Sequence, residues 1–180
     1  IDAAFYLVHA MGDASGFEAR ERTGAANFAA AAHAAGVQRI VYLGGLIPPD
    51  PRSQHLRSRA ETGELLRGFP VPVTEVRAGM IIGPGSAAYE VIRDLVNHLP
   101  AMITPAWVRS RSTPIALPDL LAYLIAVADL PAAAGRILDA GGPVFGFNAI
   151  ERRCSDQQAV QTFENAFDFG RCLTGCLGRL

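Results

Sequence analysis

The sequence predicts an α/β fold on a parallel sheet, and three observations predict it. Short apolar runs alternate with stretches of helical periodicity; Gly and Pro punctuate the junctions; the runs are continuous rather than alternating in polarity. Continuous apolar runs suit strands buried on both faces, which is how parallel sheets with covering helices read.

Ala3 to Val8 is the first such run, and it stops at His9-Ala10-Met11-Gly12, a strand entering a loop. Phe17 to Ala35 turns Ala-rich with Ala and Phe at helical spacing, and Gly36 stands where a helix-ending glycine belongs. Arg39 to Leu43 is a second buried strand, ended by Gly44-Gly45, and Leu46 to Gln54 carries three prolines and reads as a loop. Ser58 to Arg67 is predicted helical, with Glu61 and Glu64 early and Arg67 late, the order that suits the helix dipole. Pro72 to Val76 is a strand and Gly83-Pro84-Gly85 a turn; Tyr89 to His98 is a helix, and Ala101 to Thr113 is irregular, with a short strand within it as the alternative. Pro118 to Leu130 forms a helix with Pro at its start, and Arg136 to Asp139 a last short strand.

Composition narrows the function classes. A chain of 180 residues is of one-domain size, and its formal net charge of −1 gives no reason to expect a nucleic-acid or acidic-membrane partner. No apolar run approaches the ~20 residues a membrane helix requires, and no secretory signal precedes the first strand. Cys154, Cys172 and Cys176 contain no CxxC pair, so neither a metal site nor a disulfide framework is expected, and a cytoplasmic location is the default. The chain opens at Ile1 almost inside a buried strand, from which an N-terminally incomplete fragment is inferred. From Val144 onward the Ala/Leu/Val pattern fades; residues 144–180 are set apart as an atypical tail, either a genuine extension or a frame-shifted sequence, and carry no assigned function.

Gly24-Ala25-Ala26-Asn27, the Ala-rich helix, and Ala35 through Gly45 together resemble the middle of extended and atypical short-chain dehydrogenases, especially NmrA-like and epimerase-like NAD(P)-binding proteins. Val76 through Gly85 is similar to that family's segment after the sixth strand, and Pro114 through Asp119 to its return from the substrate lobe. The resemblance covers residues 1–143 and implies a Rossmann-like three-layer fold, with substrate-lobe elements at about 84–117. It implies NAD or NADP as cofactor and a small-molecule substrate. Nothing like the family's glycine-rich phosphate loop occurs here, so the chain by itself is expected to bind dinucleotide weakly and to supply the nicotinamide side of the cleft. Three readings follow from the resemblance: an oxidoreductase or epimerase-like enzyme, a non-catalytic NmrA-like dinucleotide sensor, or an inactive truncated fragment of either.

The candidate residues are assigned on that footing. His9, Ala10 and Met11 would line the cofactor ribose, or form an ordinary strand-to-helix turn. Gly44 and Gly45 replace the serines that in the family often hold a substrate carbonyl, and either let backbone approach a ligand or make space. Ala78, Gly79 and Met80 would pack on the nicotinamide, although the family's Pro after Arg77 is Ala78 here. Relatives carry Tyr-x-x-x-Lys at the second helix; His55 and Arg59 hold those positions in this chain. All 16 basic residues are Arg, so the usual Tyr–Lys arrangement is excluded. His55 could pass a proton, while Arg59 could bind ribose or phosphate and stays charged; a solvated helix start is the alternative. Tyr42 is expected to pack rather than react, and Asn27 either ties backbone together or lies on exposed helix. Arg77 either orients the loop or meets phosphate, and is expected to bond elsewhere than Glu75, on the ground that adjacent strand residues face opposite sides. Trp107 is read as lobe core, and Asp119 as a helix cap without chemistry.

Overall fold

Apolar runs of four to seven residues become strands because each is too short for a stable helix and is bounded by turn-formers. The computed structural model describes residues 1–8, 16–48, 51, 53–86, 90, 111–142 and 145–146. Its elements in order are β1 (Ala3–Tyr6), α1 (Phe17–Ala34), β2 (Arg39–Gly45), α2 (Gln54–Arg67), β3 (Val73–Ala78) and β4 (Ile81–Ile82). There follow β5 (Arg111–Ser112), β6 (Ile115–Ala116), α3 (Leu117–Asp129), a 3-10 turn at Pro131–Ala133, β7 (Ile137–Ala140) and β8 (Phe145–Gly146).

The main sheet has the order β1-β2-β3-β7, and β1 pairs parallel with β2, Ala3 opposite Arg39 and Tyr6 opposite Tyr42. That parallel register, which requires a helical crossover, is what the alternating pattern predicted. Of the predicted helix at 89–98 only Glu90 is described, its N donating to the Ser86 carbonyl oxygen at 2.9 Å, while Trp107 and residues 147–180 lie outside the described residues.

The chain divides into two compact units, residues 1–77 with 123–139 and residues 78–122 with 140–180. In the first unit, α1 buries Glu21, Ala25, Ala29 and Ala32, a helical stripe of mostly small side chains. Those alanines pack with Tyr6, Ile40, Tyr42, Leu66 and Val73 into one cluster, with Phe28 against the Tyr6 ring at 4.9 Å. Ile40 and Tyr42 alternate with Arg39 and Val41, which face the other side of β2. There the Arg39 Nη1 lies 2.7, 3.0 and 2.8 Å from the carbonyl oxygens of Val127, Ala128 and Leu130 at the end of α3. A cation supplies the partners that a helix's last carbonyls lack. Arg39→Met should therefore cost about 1–3 kcal/mol in urea unfolding; a loss below ~0.5 kcal/mol would show that water serves those carbonyls equally well.

In the second unit, β4 and β6 pair parallel, Ile81 opposite Ile115, and β5 and β8 pair antiparallel, Arg111 opposite Gly146. Sequence periodicity cannot register two-residue strands of this kind.

Three boundaries differ from expectation for identifiable reasons. Helix α2 starts at Gln54, four residues before Ser58, with Ser53 in an extended conformation before it. No acidic residue therefore occupies its first turn, and the dipole argument for Glu61 and Glu64 does not hold. Gly44 and Gly45 belong to β2 rather than ending it, and β3 continues through Arg77 to Ala78. Gly36 does end α1 as expected, with φ of 68°.

Candidate functional site

The carboxyl ends of parallel strands are where α/β sheets hold ligands, because the loops there are free to diverge while the strands stay fixed. In the first unit, the carboxyl end of β2 meets the start of α2. Arg59 Nη2 donates to the Leu43 carbonyl oxygen at 2.6 Å, and the Tyr42 phenol donates to the Arg59 carbonyl oxygen at 3.1 Å. A Cβ at Gly45 would lie 3.6 Å from Arg59 Nε, an ordinary contact distance, so Gly45 and Arg59 are neighbours although the guanidinium does not require glycine there. Arg59 Nε is buried with no hydrogen-bond partner among the described residues. Of the predicted site residues, Gly45 and Arg59 are thus brought together. Gly44 is not part of that contact; it faces the Glu75 carboxylate and the Tyr42 ring.

His55 lies in the first turn of α2, exposed, four residues before the half-buried Arg59. The four-residue spacing puts both on one helix flank. His9, Ala10 and Met11 lie outside the described residues. Ala78, Gly79 and Met80 belong to the second unit. There Gly79 N donates to the Ala140 carbonyl at 3.3 Å and Ile115 N to the Met80 carbonyl at 2.9 Å. A Cβ at Gly79 would stand 3.0 Å from both the carbonyl carbon and the hydroxyl oxygen of Thr113. Close backbone packing accounts for glycine at this position.

Tyr42 packs, as expected: it is buried, and burial first, then the Glu21 carboxylate, hold its phenol above the usual 10.0, against the lowering effect of Arg59. Tyr6 is raised for the same two reasons, burial foremost. A raised phenol pKa stabilises the folded state below pH 10.0, and that contribution disappears as pH rises through the folded value. Thermal stability should stay level to about pH 10 and then fall, and Tyr42→Phe should blunt the fall. Phenolate absorbance from all tyrosines appearing before the folded signal is lost would contradict this.

Two buried polar pairings were not predicted from the sequence. Ser58 donates to the Glu21 carboxylate, linking α2 to α1. Glu75, fully buried on β3, receives both Arg67 and Arg77, the latter with Nε 2.8 Å from Oε1. The expectation that Arg77 bonds elsewhere is corrected by the strand's own geometry: Glu75 and Arg77 are two residues apart and share a face. A lone acid inside the apolar stretch Val71 to Val76 was the available signal. Asn27 is exposed on α1. Asp119 sits in the first turn of α3, its carboxyl raised above 3.8 by burial and its Oδ2 without a hydrogen-bond partner among the described residues. Among the described residues no group of His, Cys, Asp and Glu could hold a metal ion, and no helix is long and apolar enough to cross a membrane.

No family model and no curated protein matches the chain. Solved structures do match it in fold. It is similar to Pal from Bacillus thuringiensis, with a TM-score of 0.71 at 15% identity over 87% of this chain and 60% of that one. A double mutant of DesIV, a dTDP-glucose 4,6-dehydratase from Streptomyces venezuelae solved with NAD, gives 0.70 at 17% identity, over 86% and 56% of the two chains. WbmG from Bordetella bronchiseptica, in complex with NAD and UDP, gives 0.67 at 16% identity, over 83% and 54%. The chain therefore spans 60% or less of the length of each of these three structures.

Proposed function

We propose that this Rossmann-like chain is the nicotinamide-side part of an NAD(P)-dependent oxidoreductase or epimerase-like protein acting on a small molecule. The observation that carries the reading is the junction of β2 and α2. A guanidinium is tied to the carboxyl end of a parallel strand beside Gly45, in a fold whose solved relatives include complexes with NAD. The residues suit such a cofactor: Arg59 carries a permanent cation and is half-buried at the carboxyl end of β2, where its guanidinium would meet a ribose or phosphate oxygen. The bound group would supply hydride acceptance and return. Within the chain, Arg59 would anchor and orient, and His55, one turn away, would move the accompanying proton. Relatives solved with UDP or named for a dTDP-sugar make nucleotide-linked sugars the first substrates to try.

Saturation-transfer NMR with NADH tests this, since it detects weak binding. Transfer should be stronger to nicotinamide than to adenine protons, and Arg59→Met should abolish it. Absence of transfer from NADH and NADPH alike would end the reading.

The chain's lack of any Lys, and of a Tyr at the start of α2, favours a second function, a non-catalytic dinucleotide sensor. Turnover of NAD(P)H with a carbonyl or nucleotide-sugar substrate, lost in His55→Ala, separates the enzyme from the sensor.

A further inference from the structure

Burying a carboxylate is costly, and an ion pair in the interior is often no more stabilising than apolar side chains of the same volume. Glu75 nevertheless occupies a slot built for it. A Cβ at Gly63 of α2 would fall 2.8 Å from Oε2, and one at Gly44 of β2 would fall 3.1 Å from Oε1. Each oxygen takes one guanidinium, Arg67 on Oε2 and Arg77 on Oε1. The arginines are only partly withdrawn from solvent, with side chains 27% and 24% exposed. They lie close enough that Arg77, after burial, lowers the proton affinity of Arg67, with Glu64 acting in the opposite sense on Arg67.

Arg77 binds Glu75 through Nε alone, and its two terminal nitrogens make no hydrogen bond among the described residues. Arg77 is the penultimate residue of β3, at the end of the strand where parallel sheets hold ligands. A carboxylate that grips one edge of a guanidinium fixes the plane of its other edge. The Nη pair is the edge that matches two oxygens of one oxyanion.

We propose that Arg77 binds an oxyanion, phosphate or carboxylate, through its terminal nitrogens, and that Glu75 is the residue that positions it. The site lies wholly within residues 1–77 and 123–139 and does not depend on dinucleotide binding.

The test uses the full chain with inorganic pyrophosphate and malonate as probes, and sodium chloride at matched ionic strength as control. Phenylglyoxal should modify Arg77, identified by peptide mass, and one or both probes should protect it at least threefold more than chloride does. Arg77→Lys keeps the charge and one contact to Glu75 but loses the two-pronged edge; probe affinity should fall about tenfold with the unfolding midpoint held. Protection by pyrophosphate alone assigns a phosphate-type ligand, and protection by malonate alone a carboxylate. Failure of Arg77 to react, modification indifferent to both probes, or equal affinity in wild type and Arg77→Lys overturns the proposal. Protection at Arg77 without NADH transfer in the NMR experiment would sink the dinucleotide reading and leave this one standing.

Discussion

Replacing Gly79 with alanine should destabilise the protein by about 3 kcal/mol or more, measured by urea unfolding. The new methyl would overlap the Thr113 carbonyl oxygen, with the carbonyl carbon and Oγ1 each at 3.0 Å. Backbone on both sides is pinned: Gly79 N bonds Ala140, Ile115 N bonds Met80, and Gly142 N bonds the Pro114 carbonyl. Gly141 crowds Thr113 from a second direction, its would-be Cβ 2.9 Å from Oγ1. No side chain can swing away, so the strain must break main-chain hydrogen bonds. Gly24→Ala is the opposite case. In α1 its Cβ would meet the Tyr6 hydroxyl at an ordinary 3.5 Å, and helix propensity should stabilise the protein by up to ~1 kcal/mol. Equal effects from the two substitutions would refute the packing account. Gly79→Ala also bears on the nicotinamide assignment: loss of binding in that variant counts only if the fold survives.

How much of this was legible in the sequence depends on the range of the interaction. The parallel pairing of β1 with β2 was readable because buried strands leave continuous apolar runs, and α1 because its alanines recur on one face. Periodicity alone missed the first turn of α2, which the resemblance had located at His55, because Gln54, His55 and Arg57 are polar and exposed and carry no apolar period. Two-residue strands such as β4 and β6 exist through their partners, not through local pattern. At the site, the position of Arg59 on its helix was legible, but its bond to Leu43 depends on how α2 lies on β2. The Arg77–Glu75 pair needed only the two-residue period of a strand, correctly applied.

Glu75→Ala is the second substitution expected to be severe, by about 3–5 kcal/mol, because it leaves two guanidinium groups facing each other without their shared counter-charge. The lost Cγ methylene and carboxyl group add a cavity beside Gly44 and Gly63, neither of which has a side chain to fill it. Arg67→Met should cost less, since Arg77 still neutralises the carboxylate. The double substitution Glu75→Leu with Arg67→Met then isolates charge from volume. Leu fills most of the Glu slot, and Arg77, at 24% exposure, can turn its charge toward water. That pair should recover most of the stability lost in Glu75→Ala while leaving Arg77 unpositioned. If the double variant is as unstable as Glu75→Ala, the pair is structural glue and Arg77 needs no further role. Recovered stability with weakened oxyanion binding is the result in which the buried charge is retained for what Arg77 does, not for what it holds together.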